Sequence, residues 1–404
     1  MLVKMAIRAL ITVCVVTVCM GTALFAQGVA RQDYSGLDKY PVEGRGDNFS
    51  FVGVRAAEFL TIPVGARGIG MGGAYSAMSD DISSLWWNPA GLGFLTNREV
   101  MFNVVDYTAD LTYSFLAAAS PIADGNLVIG GFFGYLDVPD IEITTVTSPD
   151  GTGSFYNAYD FQMGGTLAYS LSDRFIGGLT MKYVHQDVWG NLSGSAFAID
   201  AGAIYYTELA DREIRFSFTI QNLGTNITMR GPKLLAAIGA EDTGFDFPTG
   251  YGNYQTNPEA MSRRNARQGY LKTNTYRLPT SVKLSLAYFL YTSEKTNWAV
   301  VGELQRPNYI PLSYATGTEL TYSFDVLTSA ALRMGWAIQM DEFDGTADEY
   351  GYEYLGNDDG SFRGFSFGGG IQRGWGKNSI RFDYAYKNKG RLASDNFFTI
   401  RVGF

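Results

Sequence analysis

The chain has 404 residues, with 31 basic and 40 acidic side chains and a formal net charge of -9. An acidic chain of this kind argues against nucleic acid as a partner. With one histidine, His185, and two cysteines, Cys14 and Cys19, there is no material for a histidine triad or a multi-histidine zinc centre, and no cofactor or metal is expected.

Residues 1–26 read as a secretory signal peptide. Lys4 and Arg8 precede an apolar stretch from Ala9 to Phe25, and Ala26 supplies the small residue before the cut. Ala30 offers a second cutting point. Both cysteines fall inside this segment, so the exported chain is expected to carry no disulfide and no thiolate site. Residues 27–50 form a polar linker.

Residues 51–97 do not alternate and are rich in glycine, which predicts a compact plug ahead of the first strand. A short helix is expected from Asp80 to Trp87, with Asp80 as its N-cap and Pro89 as its stop. Gly68, Gly70 and Gly73 satisfy G-x-G-x-x-G, but no preceding strand and no long following helix accompany them. Tight packing is therefore the better reading than a dinucleotide site. Phe59, Leu60, Trp86 and Trp87 either line an apolar ligand pocket or form the segment's own core. Arg67 needs a carboxylate, because an unpaired buried charge is costly. Asp200, Glu303, Glu319 and Asp383 are its candidates.

From residue 98 to 404 the dominant signal is period-2 alternation. Ile214, Phe216, Phe218 and Ile220 alternate with Arg215, Ser217, Thr219 and Gln221. Leu332, Met334, Trp336 and Ile338 alternate with Arg333, Gly335, Ala337 and Gln339. Ile380, Phe382, Tyr384 and Tyr386 do the same against Arg381, Asp383, Ala385 and Lys387. Fourteen such segments are expected, at 99–109, 111–121, 126–138, 157–170, 174–187, 195–207, 212–223, 279–290, 296–305, 313–324, 328–339, 361–373, 377–387 and 396–404. Each is near the ~9–11 residues that cross a bilayer. Every second connection is short, and the others include long ones at 139–156, 224–278 and 340–360. Short periplasmic turns alternating with longer external loops mark an antiparallel transmembrane β-barrel, and the apolar face is then the lipid face. Phe398, Ile400, Val402 and Phe404 close the last strand in the manner of a barrel-insertion signal, which implies the barrel-assembly machinery and outer-membrane lipid as partners.

The inward set of Lys182, Arg215, Lys283, Glu303, Glu319, Arg333, Asp383 and Arg401 reads as salt-bridged lumen packing rather than an ion path. His185 is expected at the membrane interface. The acidic loop 341–359 lacks EF-hand spacing and reads as a solvated external loop rather than a calcium site. No spacing pairs a nucleophile with a base or singles out two carboxylates, so no active site is assigned and the chain is not read as an enzyme.

Phe59-Leu60, Gly65-Ala66-Arg67, Gly70-Met71-Gly72-Gly73-Ala74, Asp80-Asp81, Trp87-Asn88-Pro89-Ala90-Gly91-Leu92, Ile220-Gln221-Asn222-Leu223-Gly224 and the strands from Phe382 resemble the PorV/PorQ family of outer-membrane proteins, which is related to the FadL hydrophobic-compound transporters. The resemblance implies a fourteen-stranded barrel in the bacterial outer membrane with an N-terminal hatch in its lumen. Asn88-Pro89-Ala90 is similar to the NPA motif of the FadL hatch. Arg67, Gly68, Gly70, Met71, Gly72, Gly73, Trp87, Asn88, Pro89 and Ala90 are the implied hatch residues. PorV secretion components typically carry acidic residues where this chain has Gly65 and Gly73. Three functions follow as expectations. The first is a surface protein that binds secreted cargo or partner barrels. The second is a channel that passes hydrophobic molecules, such as long-chain fatty acids, by a movable hatch. The third and least favoured is a lipid-modifying enzyme. The 224–278 connection, with Phe245, Phe247, Tyr251, Tyr254, Arg263, Arg264 and Arg267, favours partner binding and also suits an apolar capture site.

Overall fold

Alternating sequence becomes a ring of strands because each strand can hide its polar side only inward. The computed structural model describes residues 55–404 apart from 123–124, 146, 190–191, 239–266, 309–311, 340–363 and 391–393. The expected signal peptide and linker, the middle of the 224–278 connection and the acidic loop expected at 341–359 lie outside the described residues. Fourteen antiparallel strands close into a barrel. They are β1 Glu99–Tyr107, β2 Leu111–Ile122, β3 Leu127–Asp137, β4 Tyr159–Ser172, β5 Phe175–Asp187, β6 Ser193–Leu209 and β7 Arg212–Gly224. The second half is β8 Ser281–Thr292, β9 Thr296–Pro307, β10 Ser313–Ser323, β11 Thr328–Gln339, β12 Phe365–Trp375, β13 Asn378–Asn388 and β14 Ser394–Gly403. The ring closes where β1 pairs with β14, from Glu99 opposite Gly403 to Asp106 opposite Asn396.

Burial inverts the rule of a soluble protein. Leu332 and Met334 are 69% and 55% exposed, while Arg333 between them is 2% exposed. The same holds on β13, where Phe382 and Tyr384 point out and Asp383 is buried. Apolar outside and charged inside is the pattern of a barrel that faces lipid. Phe398, Ile400 and Phe404 lie on that outward face, and Phe397, Thr399 and Arg401 point in.

The connections sort by end. One end carries the tight turns, including Ala210–Asp211, where both residues have positive φ (52° and 59°) as a type I′ hairpin requires. In the β10–β11 turn the Asp325 carboxylate accepts the Leu327 and Thr328 N–H groups at 2.7 Å each. The other end carries the long connections. It also carries three small two-stranded ribbons: Ile141–Glu142 with Phe155–Tyr156, Ile227–Thr228 with Thr275–Tyr276, and Leu235–Ile238 with Arg267–Tyr270. The exception is the β1–β2 connection, which is tight at the long-loop end, with Ala109 and Asp110 at positive φ.

Residues 55–95 cross the interior. Their first α-helical turn, α1 Ala66–Gly70, packs on β11–β14, and the 3-10 turn Pro89–Phe94 packs on β3–β6. A segment touching opposite walls of a closed ring lies in the lumen. The expected Asp80–Trp87 helix is a correction. Only Ser84–Trp87 (α2) is helical, and its N-cap Ser83 makes no side-chain cap bond. Asp80 turns to Arg67 and Arg215 instead, and Asp81 reaches Arg67 and Arg401 while also accepting the Ser83 N–H at 2.9 Å.

Candidate functional site

The plug descends from the long-loop end. The Ala56 N–H donates to the Arg277 carbonyl at 3.1 Å, and the Ala57 N–H donates to Gln186 Oε1 at 3.1 Å. Phe59 and Leu60 are buried, and the Phe59 ring meets Tyr113 edge-on at 6.4 Å. Trp86 and Trp87 sit elsewhere in the plug, packed on each other at 4.7 Å and against Lys283. The four aromatic and apolar residues therefore contribute to the packing of two separate stretches.

Gly65 has φ +89° and donates its N–H to Asn103 Oδ1 at 3.1 Å, while the Ala66 N–H donates to Thr399 Oγ1 at 2.9 Å. Gly73 also has positive φ, +87°. Both positions lie in the left-handed region, which disfavours an acidic side chain in this backbone. Gly68 and Gly70 are packing glycines. A Cβ on Gly68 would stand 2.7 Å from the Trp87 ring, and one on Gly70 would stand 3.1 Å from Arg333 Cβ. With an all-antiparallel sheet around it, the G-x-G-x-x-G spacing belongs to no dinucleotide fold. Met71 rests on Gly317 and Gly335 of the wall, whose missing side chains leave room for its backbone. The Gly72 N–H donates to Ser366 Oγ at 2.9 Å.

Arg67 is the hub. Its guanidinium reaches Asp80 at 2.5 Å, Asp81 at 2.9 Å and Glu319 at 2.7 Å. Of the four expected partners only Glu319 is used. Asp200 holds Lys182 at 2.8 Å, Glu303 faces Lys283 at 3.8 Å, and Asp383 holds Arg333 at 2.7 Å and Arg381 at 2.9 Å. Arg333 bridges back to Glu319 at 2.6 Å, and Arg401 reaches Asp81 at 2.8 Å. Plug and wall thus share one buried ion network. Burial alone would raise the Asp81 carboxyl. Arg401, Arg67 and the Ser83 hydrogen bond outweigh it and hold the carboxyl well below the usual carboxylate range. The inward charges expected from the alternation are all buried. His185 lies at the long-loop end of β5, against Phe161 at 5.0 Å.

Below the network, Glu303 Oε2 accepts the Tyr75 and Ser76 N–H groups at 3.1 and 2.8 Å. Lys283, itself buried, lies 4.9 and 4.8 Å from the Trp86 and Trp87 ring centroids, a cation–π pair of contacts. Trp87 Nε1 donates to the Val64 carbonyl at 2.7 Å. Asn88 folds its own turn: Oδ1 accepts the Ala90 N–H at 3.1 Å, and Nδ2 donates to the Ser76 carbonyl at 3.0 Å. The Asn88-Pro89-Ala90 turn lies on Gly178 and Gly202, which are partners across β5 and β6. A Cβ on either would collide with the turn.

Near the tight-turn end, the Arg215 guanidinium lies 4.5 Å from the Phe94 centroid and 4.7 Å from that of Phe289, beside a cavity of about 750 Å³. Sequence reading assigned no contact to Asn103, Gln221, Ser366, Arg381 and Thr399. The available signal was their place on the inward side of alternating strands, which marks a polar lumen position without saying what it holds.

Residues 48–243 match the family model described as type IX secretion system protein PorV. No curated protein matches the chain. Among solved structures, the chain is similar to a CymD monoaromatic hydrocarbon channel, at 11% identity over 85% of this chain and 97% of that one, with a TM-score of 0.50. It is also similar to the Pseudomonas putida toluene transporter TodX, at 10% identity over 83% and 96%, with a TM-score of 0.49. A Pseudomonas aeruginosa FadL homologue is similar at 11% identity over 85% and 98%, with a TM-score of 0.44. At such identities the likeness is one of fold. Residues 48–243 thus match the PorV family model, and the chain as a whole is a β-barrel protein of the bacterial outer membrane.

Proposed function

We propose that this barrel is a binding scaffold of the PorV type, which holds secreted cargo or a partner protein at the cell surface and is neither a conduit nor an enzyme. The observation that carries this reading is the filled lumen. The plug is tied to the wall through buried ion pairs on Arg67 and Arg401. A path for hydrophobic molecules needs either an apolar lumen or a gap in the wall. The wall ladder runs through all fourteen neighbouring pairs. Its one register shift away from the tight-turn end falls between Ile199 and Ala201 on β6. There Asp200 accepts the Asn222 N–H at 2.6 Å and Lys182 at 2.8 Å, which fills the irregularity with bonded polar groups.

A second reading, hydrophobic uptake, has one observation in its favour. Phe59 and Leu60 are buried in an apolar part of the lumen, where Phe59 meets Tyr113 and the contact runs on to Phe115 and Phe132. Withdrawing Phe59 and Leu60 would uncover a site suited to an apolar ligand. Mass spectrometry of protein gently extracted from its native outer membrane separates the two readings. Stoichiometric secreted proteins or a partner barrel, with no enriched small molecule, supports the scaffold. A fatty or aromatic compound without a protein partner overturns it in favour of uptake.

A further inference from the structure

At the long-loop end, β6 outruns β7. Beyond Gly224 the chain leaves the ladder and pairs loosely with the head of β6. The Thr225 N–H donates to the Phe197 carbonyl at 2.9 Å, and Ser193 and Arg230 exchange backbone bonds at 2.9 and 2.8 Å. Ile227 is fully buried toward the lumen, so Asn226, Thr228 and Arg230 turn the opposite way. With Ser193, Gly194 and Ser195 they line a pocket of about 410 Å³. Five of its six lining residues offer polar side chains, and none is a carboxylate. Among the described residues, the Arg230 guanidinium makes no ion pair.

What lies beside the pocket sets the ligand. Ser195 is held by Tyr183, whose hydroxyl donates at 2.7 Å, and by His185 Nδ1 at 2.9 Å. These belong to an outward aromatic band: Tyr183 with Phe197 at 5.3 Å, Phe161 with Tyr183 and with His185 at 6.0 and 5.0 Å, and Phe133 with Phe161 at 6.0 Å. Aromatic bands mark the height of lipid headgroups on a membrane barrel. Toward the membrane centre the same face is apolar, with Phe197, Ile199, Met181 and Leu223 all exposed. An aromatic girdle is ordinary; a carboxylate-free polar pocket with an unpaired arginine at its upper edge is not.

We propose that this pocket seats the phosphate of an outer-leaflet lipid, with the Arg230 guanidinium and the Ser193, Ser195, Thr228 and Asn226 side chains around the headgroup and the acyl chains along Phe197 and Leu223. A guanidinium suits phosphate because its planar fork matches two oxygens at once. Ser193 and Asn226 supply further donors without adding repulsion, while Thr228 Oγ1 is shared with Thr275 Oγ1 at 3.0 Å.

The test is native mass spectrometry of the full-length protein in non-ionic detergent, titrated with dihexanoylphosphatidic acid, dihexanoylglycerol or inorganic phosphate. Phosphatidic acid is expected to bind tightest. Arg230→Gln is expected to weaken it by about tenfold, the worth of one charge-assisted hydrogen bond. Arg230→Lys, which keeps the charge and loses the fork, is expected to lose less, and Arg373→Gln at the opposite end is expected to lose nothing. Unchanged binding by both Arg230 variants would overturn the proposal. Dihexanoylglycerol binding as well as phosphatidic acid would remove the phosphate from it. Inorganic phosphate binding as well as the lipid would assign a free-anion site and remove the lipid.

Discussion

The double substitution Gly178→Ala, Gly202→Ala tests whether the plug is seated as described. The two glycines face each other across β5 and β6 and form the floor under Asn88-Pro89-Ala90. A Cβ on Gly202 collides with Asn88 Oδ1 and stands 3.0 Å from Pro89 Cδ, and one on Gly178 collides with the Pro89–Ala90 peptide. Neither change touches a backbone hydrogen bond of the wall. Overpacking a filled interior costs about 1–3 kcal/mol. Displacing the two Asn88 hydrogen bonds costs about 1 kcal/mol each. Roughly 3–5 kcal/mol against seating is two to three and a half orders of magnitude in the docking equilibrium, at about 1.4 kcal/mol per decade. Two assays read it. Trypsin reaches Arg67, whose side chain is 11% exposed, only when the plug leaves its place. Conductance in a planar bilayer rises once the lumen is unblocked. Gly302→Ala is the control, because nothing lies within 4 Å of the added carbon. The expected result is faster cleavage at Arg67 and higher conductance for the double variant alone, with the heat-modifiable gel mobility of the barrel retained. Wild-type cleavage and conductance in the double variant would refute the docking geometry.

Leu332→Arg places a charge on the outward face in the middle of β11, where Leu332 is 69% exposed. It is expected to cost about 2–4 kcal/mol in urea titrations of folding into vesicles, whereas a water-facing site would show almost none. Arg333→Met removes the cation between Glu319 and Asp383, which keep Arg67 and Arg381, and is expected to lower stability by about 1.5–3 kcal/mol, read by thermal unfolding in detergent. Asp81 contributes its seating energy fully above the ordinary aspartate pKa of about 3.9, and loses it as pH falls from there toward its depressed folded value. An acid-active protease is therefore expected to cut the plug faster at pH 3 than at pH 5, and Asp81→Asn is expected to abolish most of that difference while loosening the plug at neutral pH.

The wall was legible because one physical contrast, lipid outside and charge inside, is written at every second residue. Strands expected at 111–121 and 328–339 occur at Leu111–Ile122 and Thr328–Gln339. The plug was less legible, because its partners are set by the distance across a closed ring. Arg67 illustrates this: Glu319 is 252 positions away, and nothing local ranks it above Asp200 or Asp383. The misplaced helix start has the same origin. Asp80 looks like an N-cap in sequence, yet its carboxylate turns to Arg67 and Arg215. Gly178 and Gly202 could be read only as weak strand positions until the turn resting on them was known.

The charge count at the centre bears on whether the plug is a fixed wall or a removable one. The plug brings one guanidinium, Arg67, and two carboxylates, Asp80 and Asp81. The wall brings three guanidiniums, Arg333, Arg381 and Arg401, and two carboxylates, Glu319 and Asp383. Arg215 has its own Glu213, and Glu99 at the rim is 3.8 Å from Arg401. Leaving Glu99 aside, plug and wall differ from neutrality by one charge each, of opposite sign, and Glu99 offsets part of the wall's excess. Most pairs survive separation, since Arg67 keeps Asp80 and Asp81 while Arg333 keeps Glu319 and Asp383. The electrostatic work of unseating is that of one opposed charge in each half, plus rehydration of the groups between them, rather than the loss of every ion pair in the lumen. The larger resistance comes from close packing: Met71 on Gly317 and Gly335, and Asn88-Pro89-Ala90 on Gly178 and Gly202. Neutralising the network would then loosen the plug less than filling the glycine floor, and Arg401→Gln is expected to raise Arg67 cleavage by a smaller factor than the glycine double variant. The reverse order would place the lock in the ions.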